Sequence, residues 1–220
     1  MAKKRLFVLV LATFVAGGMF AQTAGFSLGV RAIGIIPSYE PSSDLASSVG
    51  GTGVSIDLEG KFGFGFAAQA SYNFSELFGI QAEILYNSDE IAVKAMGFEA
   101  ATLKASSLLI PVLVRIGTTF ENGIQLTGIG GVYFTAPLGD GEIQLSSLAG
   151  GGNTKGEWKG STGMMIGGII GYKIGTGLLF ADLRYSFDFS ETEFKLMSET
   201  IKVLKKSAFH IGIGYSIPIG

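Results

Sequence analysis

Cysteine does not occur anywhere in the 220-residue chain. Its absence excludes a disulfide framework, a thiolate metal site and the acylated cysteine of a lipoprotein anchor. Proline is scarce, at five residues, and charged side chains make up only 15% of the chain against 47% hydrophobic. So little charge beside so much apolar surface excludes a disordered chain. Histidine occurs once, so any histidine-dependent catalysis has to rest on His210. Nothing resembles an interdomain linker, and a chain of this length makes one sizeable domain.

The N-terminus carries Lys3, Lys4 and Arg5, an apolar run from Leu6 to about Val15, then small residues up to Ala21. That order is the signature of a secretory signal peptide. The apolar run is too short for a membrane-spanning helix. The expected division is a signal-peptide helix over residues 1–21 and one domain over 22–220, although Met19 departs from the small residue usual three before the cut. Removing those three cations from the 16 Lys and Arg leaves 13 against 18 Asp and Glu, a mature charge near −5. An acidic exported chain is a poor ligand for nucleic acid.

Glycine (34) and phenylalanine (17) are abundant, and they are ordered. From Lys61 to Phe74 the chain alternates Phe62, Phe64, Phe66, Ala68, Ala70, Tyr72, Phe74 with Gly63, Gly65, Ala67, Gln69, Ser71, Asn73. Strict period two predicts a strand with one apolar and one polar face. The same pattern recurs from Phe26 to Ile36, Phe78 to Tyr86, Leu108 to Ile116, Ile124 to Phe134, Met164 to Ile174, Leu179 to Phe189 and Phe209 to Ile217. Alternation is least clean in the stretch from Leu108 to Ile116. Eight strands are predicted, joined alternately by short links and by four long polar ones: 37–60, 87–106, 135–160 and 190–207. All long links then leave one end of an up-and-down antiparallel sheet and all short turns the other.

The apolar faces could point into a soluble core or out into lipid. Polar faces that met bulk water would carry Lys, Glu and Thr, whereas these carry mainly Gly, Ala, Ser, Gln and Asn, which suit a narrow lumen. The strands reach the roughly 9–11 residues needed to cross a bilayer when tilted. Aromatics sort into two bands: Phe26, Tyr72, Phe74, Phe78, Tyr172 and Tyr215 near the short turns, and Tyr86, Phe134, Phe187, Phe189 and Phe209 near the long links. Such bands are expected of membrane-interface girdles. Unpaired strand edges are not tolerated in lipid, so the sheet must close. The expected fold is all-β, an eight-stranded antiparallel up-and-down transmembrane β-barrel in an outer membrane.

The stretches GIQAEILYNSD (Gly79 to Asp89), SLLIPVLVRIG (Ser107 to Gly117), LFADLRYSFDFS (Leu179 to Ser190) and the closing FHIGIGYSI resemble the PorT-like outer-membrane β-barrel family, akin in architecture to the eight-stranded OmpA and OmpX barrels. The resemblance implies location more firmly than activity. Leu109 stands where that family often has an acidic residue before Ile-Pro, and the chain ends Ile-Pro-Ile-Gly rather than on the aromatic that assembly machinery reads.

Arg31, Glu83, Arg115, Asp182 and Arg184 share the inward parity. Isolated charges are too costly to bury, so they should pair as a lumen-filling plug, with a gated polar path as the other reading. His210 also points inward. The residue two along is Gly212 and the nearest serine, Ser207, lies on the opposite face, so a polar lumen residue is favoured over catalysis. Gly63 to Ala68 imitates a dinucleotide fingerprint inside a strand, and Gly163 to Gly171 imitates a helix-dimer motif, but the uncharged run around it is too short and is interrupted by Lys173. The acids of the long links, Asp44, Asp89, Glu90, Glu99, Asp140, Glu142 and Glu157, fit no EF-hand spacing and are expected to be solvated.

The functional expectation is a structural, adhesive or loop-mediated interaction role, without enzyme activity or cofactor. Expected partners are outer-membrane lipids and lipopolysaccharide, the outer-membrane assembly machinery, and an extracellular ligand or partner protein. A barrel that binds or passes a small solute or lipid is the second reading, and an envelope lipid hydrolase the third.

Overall fold

A computed structural model describes residues 25–41, 56–75, 77–146, 151–196 and 199–219. The segment read as a signal peptide, Asp44 and the last residue lie outside them. Period-two alternation folds the described residues into twelve strand segments in one antiparallel sheet: β1 (Gly25–Pro41), β2 (Ile56–Gly60), β3 (Gly63–Asn73), β4 (Phe78–Ala95), β5 (Phe98–Thr119), β6 (Ile124–Pro137), β7 (Gly141–Leu145), β8 (Gly152–Trp158), β9 (Thr162–Ile174), β10 (Gly177–Asp188), β11 (Thr192–Leu196) and β12 (Glu199–Ile219). Eight of them close a ring in the order β1, β3, β4, β5, β6, β9, β10, β12, and β12 returns to β1 from Phe26↔Ile219 to Pro41↔Leu204. Closure satisfies every ladder and leaves no edge in the lipid zone.

The short turns gather at one end. Ser75 Oγ accepts from the amides of Leu77 and Phe78 between β3 and β4. Asn122 Oδ1 accepts from the Ile124 amide, with Gly123 at φ 84°, between β5 and β6. Gly175, at φ 61°, turns β9 into β10. Side-chain direction follows the pleat: Val30 and Phe64 are 65% and 67% exposed on the outside, while Ile35 and Leu85 are 0% exposed inside.

The long polar links differ from expectation. The second is one continuous hairpin: β4 pairs with β5 out to Ala95↔Phe98 around Met96 and Gly97, both at positive φ. β2 pairs with β4, β7 and β8 extend from β5, and β11 folds onto β12. The physical reason lies in an exchange of faces. Along β4 the outward residues Ile80, Ile84 and Tyr86 give way to Ser88, Glu90 and Lys94, while inward Gln81 and Glu83 give way to Ile91 and Val93. Tyr39, Ile91 and Leu103 form a second buried cluster with Leu58, Val93, Ile143 and Trp158 packed against it. Above Tyr86 the sheet is therefore an ordinary water-facing barrel with an apolar inside. Asp89 and Glu90 are correspondingly not free loop acids: Asp89 is half-buried in a salt bridge with Lys206, and Glu90 pairs with Lys61 at 2.8 Å.

The lumen also differs in composition from the polar filling expected. Ile33, Ile35, Leu85, Leu109, Leu113, Ile129, Met165, Ile169 and Phe180 form one buried cluster inside the barrel. Leu109 and Leu113 face inward while Val112 and Val114 face lipid, which is why alternation was weakest in that strand.

Candidate functional site

Four of the five inward charges meet. Arg31 on β1 donates from Nη1 to Asp182 Oδ1 at 2.5 Å and from Nη2 to Glu83 Oε2 at 2.9 Å. Arg184 on β10 donates from Nε to Asp182 Oδ1 at 2.7 Å and from Nη1 to Glu83 Oε1 at 2.7 Å. The four side chains form a closed ring of alternating charge, each with a side-chain exposure of 0%. Gln81 Nε2 adds a donor to Glu83 Oε1. In a low-dielectric interior such charges persist only when mutually compensated, and here every contact is between opposite signs. Arg115, grouped with them in the sequence, is buried but joins no ion pair among the described residues.

Glycine makes room for the ring. A Cβ on Gly212 would lie 2.5 Å from Asp182 Oδ2, and one on Gly167 would lie 2.8 Å from Arg184 Cγ. Gly212, which had counted against a catalytic pair with His210, is thus a packing requirement of the plug.

Above the ring is a cavity of about 70 Å³, lined in part by Tyr39, Asp89, Tyr133, Ser186, Asp188 and Lys206. Asp89 accepts from Tyr39 at 3.0 Å, from Asn87 at 2.7 Å and from Lys206 at 2.6 and 2.7 Å. Asp188 accepts from the Tyr133 hydroxyl. Below the floor of this cavity, Ser186 Oγ lies 2.8 Å from His210 Nε2. This contact was missed in the sequence because it is a diagonal one: Arg184 pairs with His210 and Ser186 with Ala208, a register that only the β10–β12 ladder supplies. Among the described residues no carboxylate orients the ring, and His210 Nδ1 has no partner there. A serine nucleophile needs a base that is itself held by a third group, and that group is missing. Among the described residues no cluster of three or more His, Asp or Glu could hold a metal.

Of the named aromatics, Phe74, Phe78, Tyr86, Phe134, Tyr172, Phe189, Phe209 and Tyr215 are exposed on the outer face, and Phe26, Tyr72 and Phe187 are partly covered by neighbours. Tyr72 stacks on Phe74 at 5.3 Å and Phe187 on Phe189 at 5.9 Å, both edge-on. Phe26 and Tyr72 are direct ladder partners near the short turns; Phe66 and Tyr86 are partners near the face exchange. On β3 the two levels, Tyr72 and Phe66, stand six residues apart, roughly 20 Å along the strand.

A closed antiparallel barrel with a lipid-facing exterior and a lumen crossed by buried ion pairs is an integral membrane barrel of the outer-membrane type. The chain belongs to the outer membrane protein beta-barrel domain family, whose model matches residues 20–193. That match is coarser than the PorT-like grouping that the sequence motifs resemble. Among solved structures, OprG from Pseudomonas aeruginosa is similar with a TM-score of 0.64 at 12% identity, over 90% of this chain and 96% of that one. Neisserial surface protein A is similar with a TM-score of 0.53 at 12% identity, over 89% and 99%. Likeness at such identity is likeness of fold. No curated protein matches the chain. The protein is an outer-membrane barrel of Gram-negative type.

Proposed function

We propose that this barrel acts through the surface it presents outside the cell, as an adhesive or envelope-supporting protein, and does not conduct. The observation that carries the reading is the fully buried ring of Arg31, Glu83, Asp182 and Arg184, which spans the lumen and makes no contact with solvent. The outer wall supports it. Strands rising beyond Tyr86 have their own apolar core, so they hold a shaped surface, and the hairpin tip offers Met96 and Phe98 at 67% and 69% exposure. Apolar side chains held out in water beyond the lipid zone are the usual anchors of a partner contact. In this reading residues 1–21 direct export and are removed, and the two aromatic bands set the height of the barrel in the membrane.

The second reading, binding or passage of a small solute, is favoured by the cavity under Tyr39 and Tyr133. Swelling of liposomes containing the mature protein separates the two. The proposal predicts no uptake of sugars or amino acids above empty liposomes; uptake at porin-like rates would replace it with the second reading. Hydrolysis has the weakest support, because the Ser186–His210 pair lacks an orienting acid.

A further inference from the structure

Below the ion ring, the inward faces of the strands near the short turns enclose a cavity of about 410 Å³. Its size falls in the range of small-ligand sites. Arg115 lines it from β5, and Lys173 stands at its rim, exposed, at the end of β9. None of the residues lining it is acidic. Neutral donors surround the cations, among them Gln69, Gln125, Thr119 and Ser27.

No carboxylate among the described residues pairs with Arg115. Both oxygens of Glu83 are occupied, one by Arg31 and the other by Arg184. Asp182 is engaged by the same two arginines through Oδ1, and its buried Oδ2 makes no hydrogen bond to Arg115 or to any other group among the described residues. At the level of the ring and below it, three buried guanidinium groups thus stand against two buried carboxylates, the third buried acid, Asp188, lying above the ring with Tyr133. Arg115 as a residue is 7% exposed, its Nε is buried without a partner, and it makes no ion pair among the described residues. A buried cation left unpaired is costly enough that a neutralising partner is expected. A guanidinium facing a cavity with hydroxyl and amide donors presents a fork that matches the oxygens of a carboxylate or phosphate.

We propose that this vestibule, opening on the periplasmic side, is a binding site for a small oxyanion, with Arg115 as the anchoring charge and Lys173 as the rim charge that draws the anion in. The shared chemistry is a phosphate or carboxylate group. It can come from a free anion in the periplasm or from the phosphate headgroup of a lipid in the inner leaflet. The site lies on the far side of the ion ring from the outer surface, so it stands whether or not the surface role holds.

The test uses the refolded mature chain in neutral detergent, labelled with ¹⁵N, titrated with inorganic phosphate and separately with acetate. The Arg115 Nε resonance is expected to shift saturably, and Arg115→Gln is expected to weaken phosphate binding at least tenfold, while Arg115→Lys retains part of it. Wild-type spectra carry the test even if the glutamine variant does not refold. Repeating the measurement in nanodiscs of phosphatidylcholine and of phosphatidylglycerol separates the sources: a shift without added phosphate in the nanodiscs assigns a lipid headgroup, and one requiring added phosphate assigns a free anion. An Arg115 signal unmoved by phosphate, acetate and both lipids overturns the proposal, as does phosphate binding that survives Arg115→Gln undiminished.

Discussion

Arg184 and Glu83 meet at 2.7 Å across the full width of the barrel. Their strands, β10 and β4, have three others between them on either side of the ring. One contact thus ties opposite walls, and Arg31 on β1 braces it from the side through both carboxylates.

Glu83→Ala leaves two buried guanidinium groups short of a partner and is expected to destabilise the barrel by about 3–5 kcal/mol. Replacing Arg31, Glu83, Asp182 and Arg184 together with Met and Leu should cost less than Glu83→Ala alone, because no orphan charge remains. Urea unfolding in lipid vesicles, followed by the fluorescence of the single tryptophan, Trp158, measures both.

Gly212→Ala should disturb the same ring from outside it. The added Cβ meets Asp182 Oδ2 at 2.5 Å, with the ladder to β10 leaving little freedom to shift, and the expected loss is about 1–3 kcal/mol. Gly128→Ala is the control: its Cβ finds nothing nearer than 3.7 Å and should change the unfolding midpoint little.

Met96 sits at φ 52° in the outer hairpin turn, a conformation that costs a side-chain-bearing residue roughly 1–2 kcal/mol. Met96→Gly should slow hydrogen exchange at the top of β4 and β5 while leaving the barrel midpoint unchanged. If Met96 and Phe98 form a contact surface, Met96→Gly combined with Phe98→Ser lowers adhesion of cells displaying the protein without lowering its surface level.

Outside the membrane zone, the hydrogen bond from Lys61 holds the Glu90 carboxyl below its usual range, and the same bond raises Lys61. A carboxyl depressed in the folded state contributes stability above its unfolded value and loses it as pH falls through the folded value; a raised lysine contributes below its unfolded value and loses it as pH rises through the folded one. The β2–β4 pairing should therefore hold steady from weakly acidic to mildly alkaline pH and loosen at both extremes. Both side chains are more than a third exposed, so solvent screening keeps the effect small. Hydrogen exchange at β2 amides, corrected for the intrinsic pH dependence of exchange, reads it; loosening already at neutral pH would contradict the assignment.

Much of this was legible in the sequence because lipid enforces a severe rule. Residues such as Phe64, Ile84 and Leu183 must be apolar where they face the membrane, so alternation survives there undiluted. The strands above Tyr86 were read as loops because the rule reverses at the water boundary. Val93 and Leu103 turn inward while Glu90 and Lys104 turn out, and the eye expecting grease outside sees only polarity. Parity placed Arg31, Glu83, Asp182 and Arg184 inside. It could not tell which of them touch, nor that Arg115 stands apart, because those facts depend on the stagger between distant strands. The apolar lumen half was hidden likewise: β6 and β9 contribute Ile129, Met165 and Ile169 to the interior, and alternation does not mark which of two apolar faces is which.

The measurement that bears most directly on the central claim is ionic current through planar bilayers containing the refolded mature chain. The account predicts no discrete current steps for the wild type, whose lumen is closed by the Arg31–Glu83–Arg184–Asp182 ring, and measurable steps once Glu83→Ala opens it. Stable open channels in the wild type, unchanged by Glu83→Ala, would contradict the plug and with it the proposal that the barrel works from its outer surface.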